Sequence, residues 1–391
     1  MASKARHAPT TQHGQSLSNR IHIVGTGNVG SFIAHSFRSV VRPPPITLIM
    51  HTVAEKQRWE NGTKEITVIN NGVSASQGGY DVEVAGQNAA SDGIRNVHRE
   101  LGNNLNNGHH RIDHLVVCVN APHVRAALFG LRHRIHRRST ILFISNGMGV
   151  MEDVNNFVFP NESSRPNYLI GVFTHGILSK SFNSVILAAV GSISIASVPR
   201  LQVQGQEPRW RIPASSRYLL RQTTRIPILQ AVGLHFTKIL LIQVEKLVVD
   251  AVINALSALL DAQNSALLNN TWITRVASLL IQEMSLVIRS LPELQSVPNL
   301  DLRFSSGRLE KLVFANAIKT ADNISLMLKH VQNGQQSEIN YLNGYIVRRG
   351  EELGIACPHN YMIVQLINAK SRMMKQDLGH AIELEAAEHE C

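Results

Sequence analysis

The stretch Ile21-His22-Ile23-Val24-Gly25-Thr26-Gly27-Asn28-Val29-Gly30 decides the fold. It reads as a short apolar strand and a glycine turn, followed by a helix that opens Ser31-Phe32-Ile33-Ala34-His35. The spacing is G-x-G-x-x-G, and each glycine meets a steric need. Gly25 permits a tight turn, Gly27 lets backbone approach a pyrophosphate, and Gly30 lets helix pack closely on strand. A helix starting here presents unpaired N–H groups and partial positive charge to an anion. The spacing predicts a dinucleotide-binding turn with Gly25, Thr26, Gly27, Asn28, Val29 and Gly30 as cofactor contacts.

Working outward, Pro43-Pro44-Pro45 ends the first helix, and Ile46–Met50 follows as a buried second strand. The end of that strand separates NAD from NADP binders. It reads His51-Thr52, with Lys56 and Arg58 one turn on and no acid, which predicts NADP(H). Residues 66–86 alternate around Asn70-Asn71-Gly72 and Gly78-Gly79 as a hairpin-like insertion, and 87–111 read as a loop or irregular helix. His114–Val119 is a continuous apolar strand. A helix over 123–138 carries five arginines, read as a solvated outer face. The strand 140–145 then runs into Asn146-Gly147-Met148-Gly149. Residues 168–198 read as consecutive strands in an antiparallel extension, and 200–217 as a polar loop.

From Leu234 the period changes to 3.6, with helical segments at 235–262, 270–290, 308–331 and 335–353, broken near Pro292 and Pro298. The fold class is therefore α/β: an N-terminal Rossmann-like doubly wound sheet followed by an all-helical C-terminal domain. The boundaries are a basic tail at 1–20, a dinucleotide domain at 21–233, a helical domain at 234–375 and an acidic tail at 376–391, read as frayed.

At 391 residues, 44% hydrophobic and 17% charged, the chain holds enough apolar residues for two cores, which excludes wholesale disorder. A net charge of +10 favours anionic partners such as nucleotide phosphates, acidic metabolites or RNA. A basic protein of the mitochondrial matrix is the alternative account of that charge. Cys118, Cys357 and Cys391 are scattered, which argues against a disulfide framework or a zinc site. The longest apolar run, Val185–Val198, is too short to span a bilayer, so no membrane span is expected. Residues 1–20 contain no acid and suit a transit peptide or a disordered tail, leaving mitochondrial and cytoplasmic locations open.

Two stretches could carry chemistry. Lys246, Asp250 and Asn254 stand at i, i+4 and i+8, so they share one face of an otherwise apolar helix. Either Lys246 and Asp250 pair toward water, or the lysine faces an interdomain cleft. Glu338 opens a second segment, Ser337-Glu338-Ile339-Asn340-Tyr341-Leu342-Asn343-Gly344, where a carboxylate would by itself favour a helix N-terminus.

With these residues in place the chain resembles the ketopantoate reductase family, especially its fungal branch. The resemblance runs from Ile21 to about Lys370. It is carried by the glycine turn, Asn146-Gly147-Met148-Gly149, Thr174-His175-Gly176, Glu245-Lys246-Leu247 with Ile253-Asn254, Glu338 to Gly350, and Gly354-Ile355-Ala356-Cys357-Pro358-His359-Asn360. It implies a Rossmann domain with a 6-phosphogluconate-dehydrogenase-like helical domain, and NADPH-dependent reduction of 2-dehydropantoate to pantoate. It also implies Lys246 as general acid, Glu338 as the carboxylate that orients substrate and lysine, Asn254 as a substrate amide, and Asn146 as a cofactor contact.

Five departures stand out. Asn120 replaces a family lysine, and Asp250 an asparagine one turn after the catalytic lysine. Leu326 stands where a substrate-binding serine is expected, with Ser325 beside it, and Thr52 stands where an arginine grips the 2′-phosphate. Asn254-Ala255-Leu256-Ser257 replaces Asn-Pro-Leu-Thr. Asn120, Asp250 and Ser325 are kept as site candidates for that reason. The implied partners are a small 2-oxo acid and, as an option, a second copy of the chain. The competing readings are a catalytically lapsed relative that binds mitochondrial RNA or the mitoribosome, and a reductase of a less anionic carbonyl compound.

Overall fold

A computed structural model describes residues 17–85, 111–200, 212–268 and 270–389. Most of the expected N-terminal tail, nearly all of the 87–111 stretch and the centre of 200–217 lie outside the described residues.

The first domain runs β1 (Ile21–Val24), α1 (Asn28–Arg38), β2 (Ile46–Met50), α2 (Val53–Glu60), β3 (Ile66–Asn70), β4 (Val73–Gln77), β5 (Asp81–Val84) and β6 (His114–Val117). It continues through α3 (Ala121–Leu131), β7 (Thr140–Phe143), α4 (Val150–Phe157), β8 (Asn167–Phe173), β9 (Gly176–Ser181) and β10 (Ser184–Ala189). It closes with β11 (Ile193–Ser197), α5 (Ala214–Thr224) and β12 (Ala231–Gly233). Eight strands form one sheet in the order β12-β11-β8-β7-β6-β1-β2-β5. Pairing is parallel from β5 to β8, and β11 lies antiparallel to β8. β1, β2, β6 and β7 are buried at every position, which is why their sequences are continuous and not alternating. Strand order reverses between β1 and β6, so a crevice opens beyond their carboxyl ends, where the glycine turn lies.

A second sheet, β4-β3-β10-β9, covers α1. This corrects two sequence readings. The hairpin is β3–β4 alone, turned by Asn71 at φ 48° and Gly72 at φ 80°, the left-handed pair a tight hairpin turn requires. β5 instead joins the main sheet, parallel to β2. The strands of 168–198 likewise divide, β8 and β11 to the main sheet and β9 and β10 to the small one.

Three further corrections concern ends and faces. Residues 18–20 are fastened to the domain: the Ser18 amide donates to Asp113 (2.7 Å) and Arg20 pairs with Asp81. The expected loop ends at Pro213, and Ser215 and Ser216 of α5 hydrogen-bond Thr140 in the interior (2.7 and 3.0 Å). The arginines near α3 are not all solvated, since the Arg134 side chain is 10% exposed and pairs with Glu83 at 2.6 Å.

The second domain comprises α6 (Phe236–Leu260), α7 (Thr271–Ser290), α8 (Leu300–Arg303), α9 (Ser306–Lys319), α10 (Leu326–Gln332), α11 (Asn343–Glu352) and α12 (Pro358–His389). α6 is its axis, burying Val244, Leu247, Val248 and Ala251 among α7, α9 and α10, while Ile239 packs on β8 and β11. α7 is long and apolar enough to cross a membrane, yet Leu280, Ile281, Met284, Val287 and Ile288 are buried in this core. The segment read as one helix over 308–331 breaks into α9 and α10. The expected frayed tail is helical as far as His389.

Candidate active site

The glycine turn is as tight as its spacing demands. Gly25 adopts φ 91°, and a Cβ there would stand 2.6 Å from Val119 Cγ1. A Cβ on Gly30 would overlap the Gly25 carbonyl oxygen. At Gly27 a Cβ would meet nothing within 4 Å. Packing therefore requires glycine at Gly25 and Gly30, whereas Gly27 faces open space. α1 begins beyond it with no side-chain cap and no acid in its first turn, so its leading N–H groups are available to an anion. These features fit a dinucleotide pyrophosphate.

The end of β2 differs from the sequence reading. Thr52 caps α2 by accepting from the Glu55 amide, and the Glu55 carboxylate turns back to accept from the His51 (2.9 Å) and Thr52 (3.4 Å) amides. An acid does occupy this end. Lys56 pairs with Glu60 at 3.6 Å and Arg58 lies over the Phe182 ring, so each of the two cations already has a partner.

Beyond β1 and β6 a cleft of about 580 Å³ separates the sheet from the helical domain. Val29, Asn120, Asn146 and Thr174 line it from the first domain, and Lys246, Asp250, Asn254 and Ser325 from the second. The other turn residues, Gly25 to Asn28 and Gly30, are not part of its wall.

Lys246 and Asp250 are in direct contact, with their side chains 27% and 16% exposed. Each alternative drawn from the sequence holds in part: the pair forms, but it faces the cleft and not bulk water. Burial pushes the Asp250 carboxyl up, Lys246 opposes that shift, and Glu338 adds to it. The Asn254 amide has no hydrogen-bond partner among the described residues and is available to a ligand. Ser325 is the N-cap of α10. It accepts from the Leu328 amide at 3.1 Å and lies 2.8 Å from the Ser257 hydroxyl, so its oxygen is largely engaged. Leu326, next to it, is 41% exposed and forms apolar wall with Ile324 and Leu312.

Glu338 is not an exposed helix-terminal charge. It precedes a short 3-10 turn, is 1% exposed, and its Oε2 lies 3.5 Å from Nδ1 of His330. His330 Nε2 in turn lies 3.1 Å from the Asn120 amide nitrogen. Sequence reasoning missed His330, because one histidine on a short amphipathic helix gives no local signal.

Two stretches that carried the resemblance touch each other. The Met148 amide donates to the Tyr341 carbonyl (2.8 Å), and a Cβ on Gly147 would stand 2.6 Å from that oxygen. The Tyr341 hydroxyl donates to Asp153 at 2.7 Å. The turn that carries Asn146 is therefore fixed against the segment that carries Glu338. His175 is held in place on both ring nitrogens: the Gly191 amide donates to His175 Nδ1 (3.0 Å), while Nε2 meets the Leu229 carbonyl (3.0 Å).

Comparison with known proteins supplies the lineage. Residues 21–200 match the family described as "Ketopantoate reductase PanE/ApbA", and 238–371 match its C-terminal part. A probable 2-dehydropantoate 2-reductase of Schizosaccharomyces pombe is 25% identical over 67% of this chain and 74% of its own length. A ketoisovalerate reductase of Gibberella fujikuroi is 25% identical over 93% of this chain and 86% of its own. In fold the chain is similar to D-mandelate dehydrogenase solved with NADH and anilino(oxo)acetate, with a TM-score of 0.68 at 16% identity, covering 91% of this chain and 99% of that one. The two family matches span both domains and take in the glycine turn, Lys246 and Glu338, and the chain belongs to the ketopantoate reductase family.

Proposed function

We propose that this chain is a nicotinamide-dependent reductase of a branched 2-oxo acid, with 2-dehydropantoate as substrate, NADPH as electron donor and Lys246 as proton donor. The observation that carries the reading is the Lys246 ammonium, held by Asp250 on the wall of the same cleft that Asn120 and Asn146 line at the carboxyl ends of the sheet. A nicotinamide dinucleotide held at the glycine turn and α1, with Asn120 and Asn146 beside it, would supply the hydride. Lys246 stabilises negative charge growing on the carbonyl oxygen and transfers its proton there, giving the 2-hydroxy acid. The neutral amine then recovers a proton from solvent. Asn254 offers its amide to the substrate, and Leu326, Ile324 and Leu312 provide apolar surface for a branched side chain.

The fungal ketoisovalerate reductase supports 2-ketoisovalerate, which lacks the hydroxymethyl group of 2-dehydropantoate, as the close competitor. The test is NAD(P)H oxidation by purified protein with each of the two 2-oxo acids, run beside Lys246→Ala. Turnover lost in the alanine variant is the expected result. No turnover with either acid would overturn the reading. No specific observation favours RNA or mitoribosome binding, since Arg125 and Arg132 already stack on Phe157 and Phe129 of their own chain.

A further inference from the structure

A buried polar chain crosses between the domains beside the Lys246–Asp250 pair. Asn120 follows β6 in the first domain. His330, on α10, and Glu338, before the 3-10 turn, belong to the second. His330 is 7% exposed and Glu338 1%, and neither His330 Nδ1 nor Glu338 Oε1 has a hydrogen-bond partner among the described residues. Buried polar atoms of this kind are costly unless a ligand or a neighbour completes them.

The amide orientation at this contact points to one tautomer of His330. The Asn120 amide nitrogen, 3.1 Å from His330 Nε2, can only donate, so Nε2 accepts. The neutral ring then carries its proton on Nδ1, the nitrogen that faces Glu338 at 3.5 Å. Asn120 lines the cleft, and with its NH2 turned to His330 its amide oxygen is the atom left to accept a hydrogen bond. Glu338 also adds, through charge repulsion, to the upward shift of the Asp250 carboxyl.

We propose that His330 is a positioning residue. It faces the Glu338 carboxylate with Nδ1 at 3.5 Å and holds the Asn120 amide through Nε2, so that Asn120 is left with its oxygen as the acceptor. The kinetic consequences rest on the reductase reading; the tautomer does not. Without His330 the Asn120 amide is free to rotate and Glu338 loses its nearest donor.

Two measurements test this. Nitrogen NMR of the full-length protein, with the His330 signals assigned by their loss in His330→Gln, should show a protonated Nδ1 and an unprotonated Nε2. The opposite tautomer would overturn the proposal whether or not the protein turns over any oxo acid. In steady-state kinetics, His330→Leu and Asn120→Ala should each lower kcat/KM about tenfold at a temperature where both variants are folded, and the double variant should be no worse than about tenfold. His330→Gln, whose amide can accept from Asn120 and donate to Glu338, should recover activity to within about threefold. Losses that multiply in the double variant, or a glutamine variant as weak as leucine, would sink the idea. Turnover absent in the unsubstituted protein, together with the expected tautomer, would reject the reductase reading and leave the Asn120–His330–Glu338 linkage standing.

Discussion

At the scale of single residues, the candidate site turns on how Asp250 changes the surroundings of Lys246. A carboxylate one turn from the lysine holds the ammonium in place and also sets a negative charge beside an anionic substrate. Two unit charges several ångströms apart at a partly wet site interact by about 1–2 kcal/mol. Asp250→Asn should therefore lower KM for a 2-oxo acid by about tenfold while kcat changes less than threefold, read from initial rates. An unchanged KM would mean that the carboxylate is remote from the bound substrate. On the proposed reductase reading, in which Lys246 gives the proton, Lys246→Ala should cut kcat by about 100- to 10,000-fold. Glu55 makes a second case. Its carboxylate caps the end of β2, where a 2′-phosphate would lie, so discrimination between NADPH and NADH should be modest. Glu55→Gln should shift the kcat/KM ratio toward NADPH by about tenfold, and no shift would place the phosphate elsewhere.

Among the elements, the glycine turn allows packing and ligand approach to be separated. Gly30→Ala would drive a methyl group into the Gly25 carbonyl, so it should lower the thermal midpoint sharply. Gly27→Ala meets no protein atom within 4 Å, so its midpoint should be unchanged while dinucleotide binding weakens about tenfold or more. Equal midpoints for the two variants would contradict the turn as described. β1, α1 and β2 were legible from the sequence because steric need and burial act there over a few neighbouring residues. β5 was not, because its partner β2 is chosen by sheet order, and no local alternation reports that choice. α5 was missed behind Pro213 because its buried face uses serines, which also suit a loop. The break before α10 was hidden because Ser325 caps a helix inside a segment whose period continues. Within the site, the Lys246–Asp250–Asn254 face followed from helical spacing alone. The Asn120–His330–Glu338 linkage needs 210 residues of separation to be closed, which only the fold supplies.

For the molecule as a whole, the histidines fix how stability depends on pH. His22 in β1 is 2% exposed, and burial, aided by the Arg134 and Arg20 charges, holds its imidazole down at about 3. Burial likewise lowers His35, His114 and His175. In the unfolded chain these rings titrate near 6.5. Below that pH the unfolded state binds protons that the folded state refuses, so the slope of stability against pH is positive. Stability from these rings is present above pH 6.5 and is lost as pH falls below it, for His22 down to about 3. For His22 alone the loss is about 1.4 kcal/mol per pH unit below 6.5, or about 2 kcal/mol at pH 5. Urea midpoints should therefore fall between pH 7.5 and 5, and His22→Gln, which cannot titrate, should flatten that dependence. An identical slope in the variant would mean that His22 takes up a proton in the folded state. The +10 charge works in the same direction, since acid only adds to it, but salt should weaken that contribution and leave the His22 contribution, shielded inside the sheet, in place.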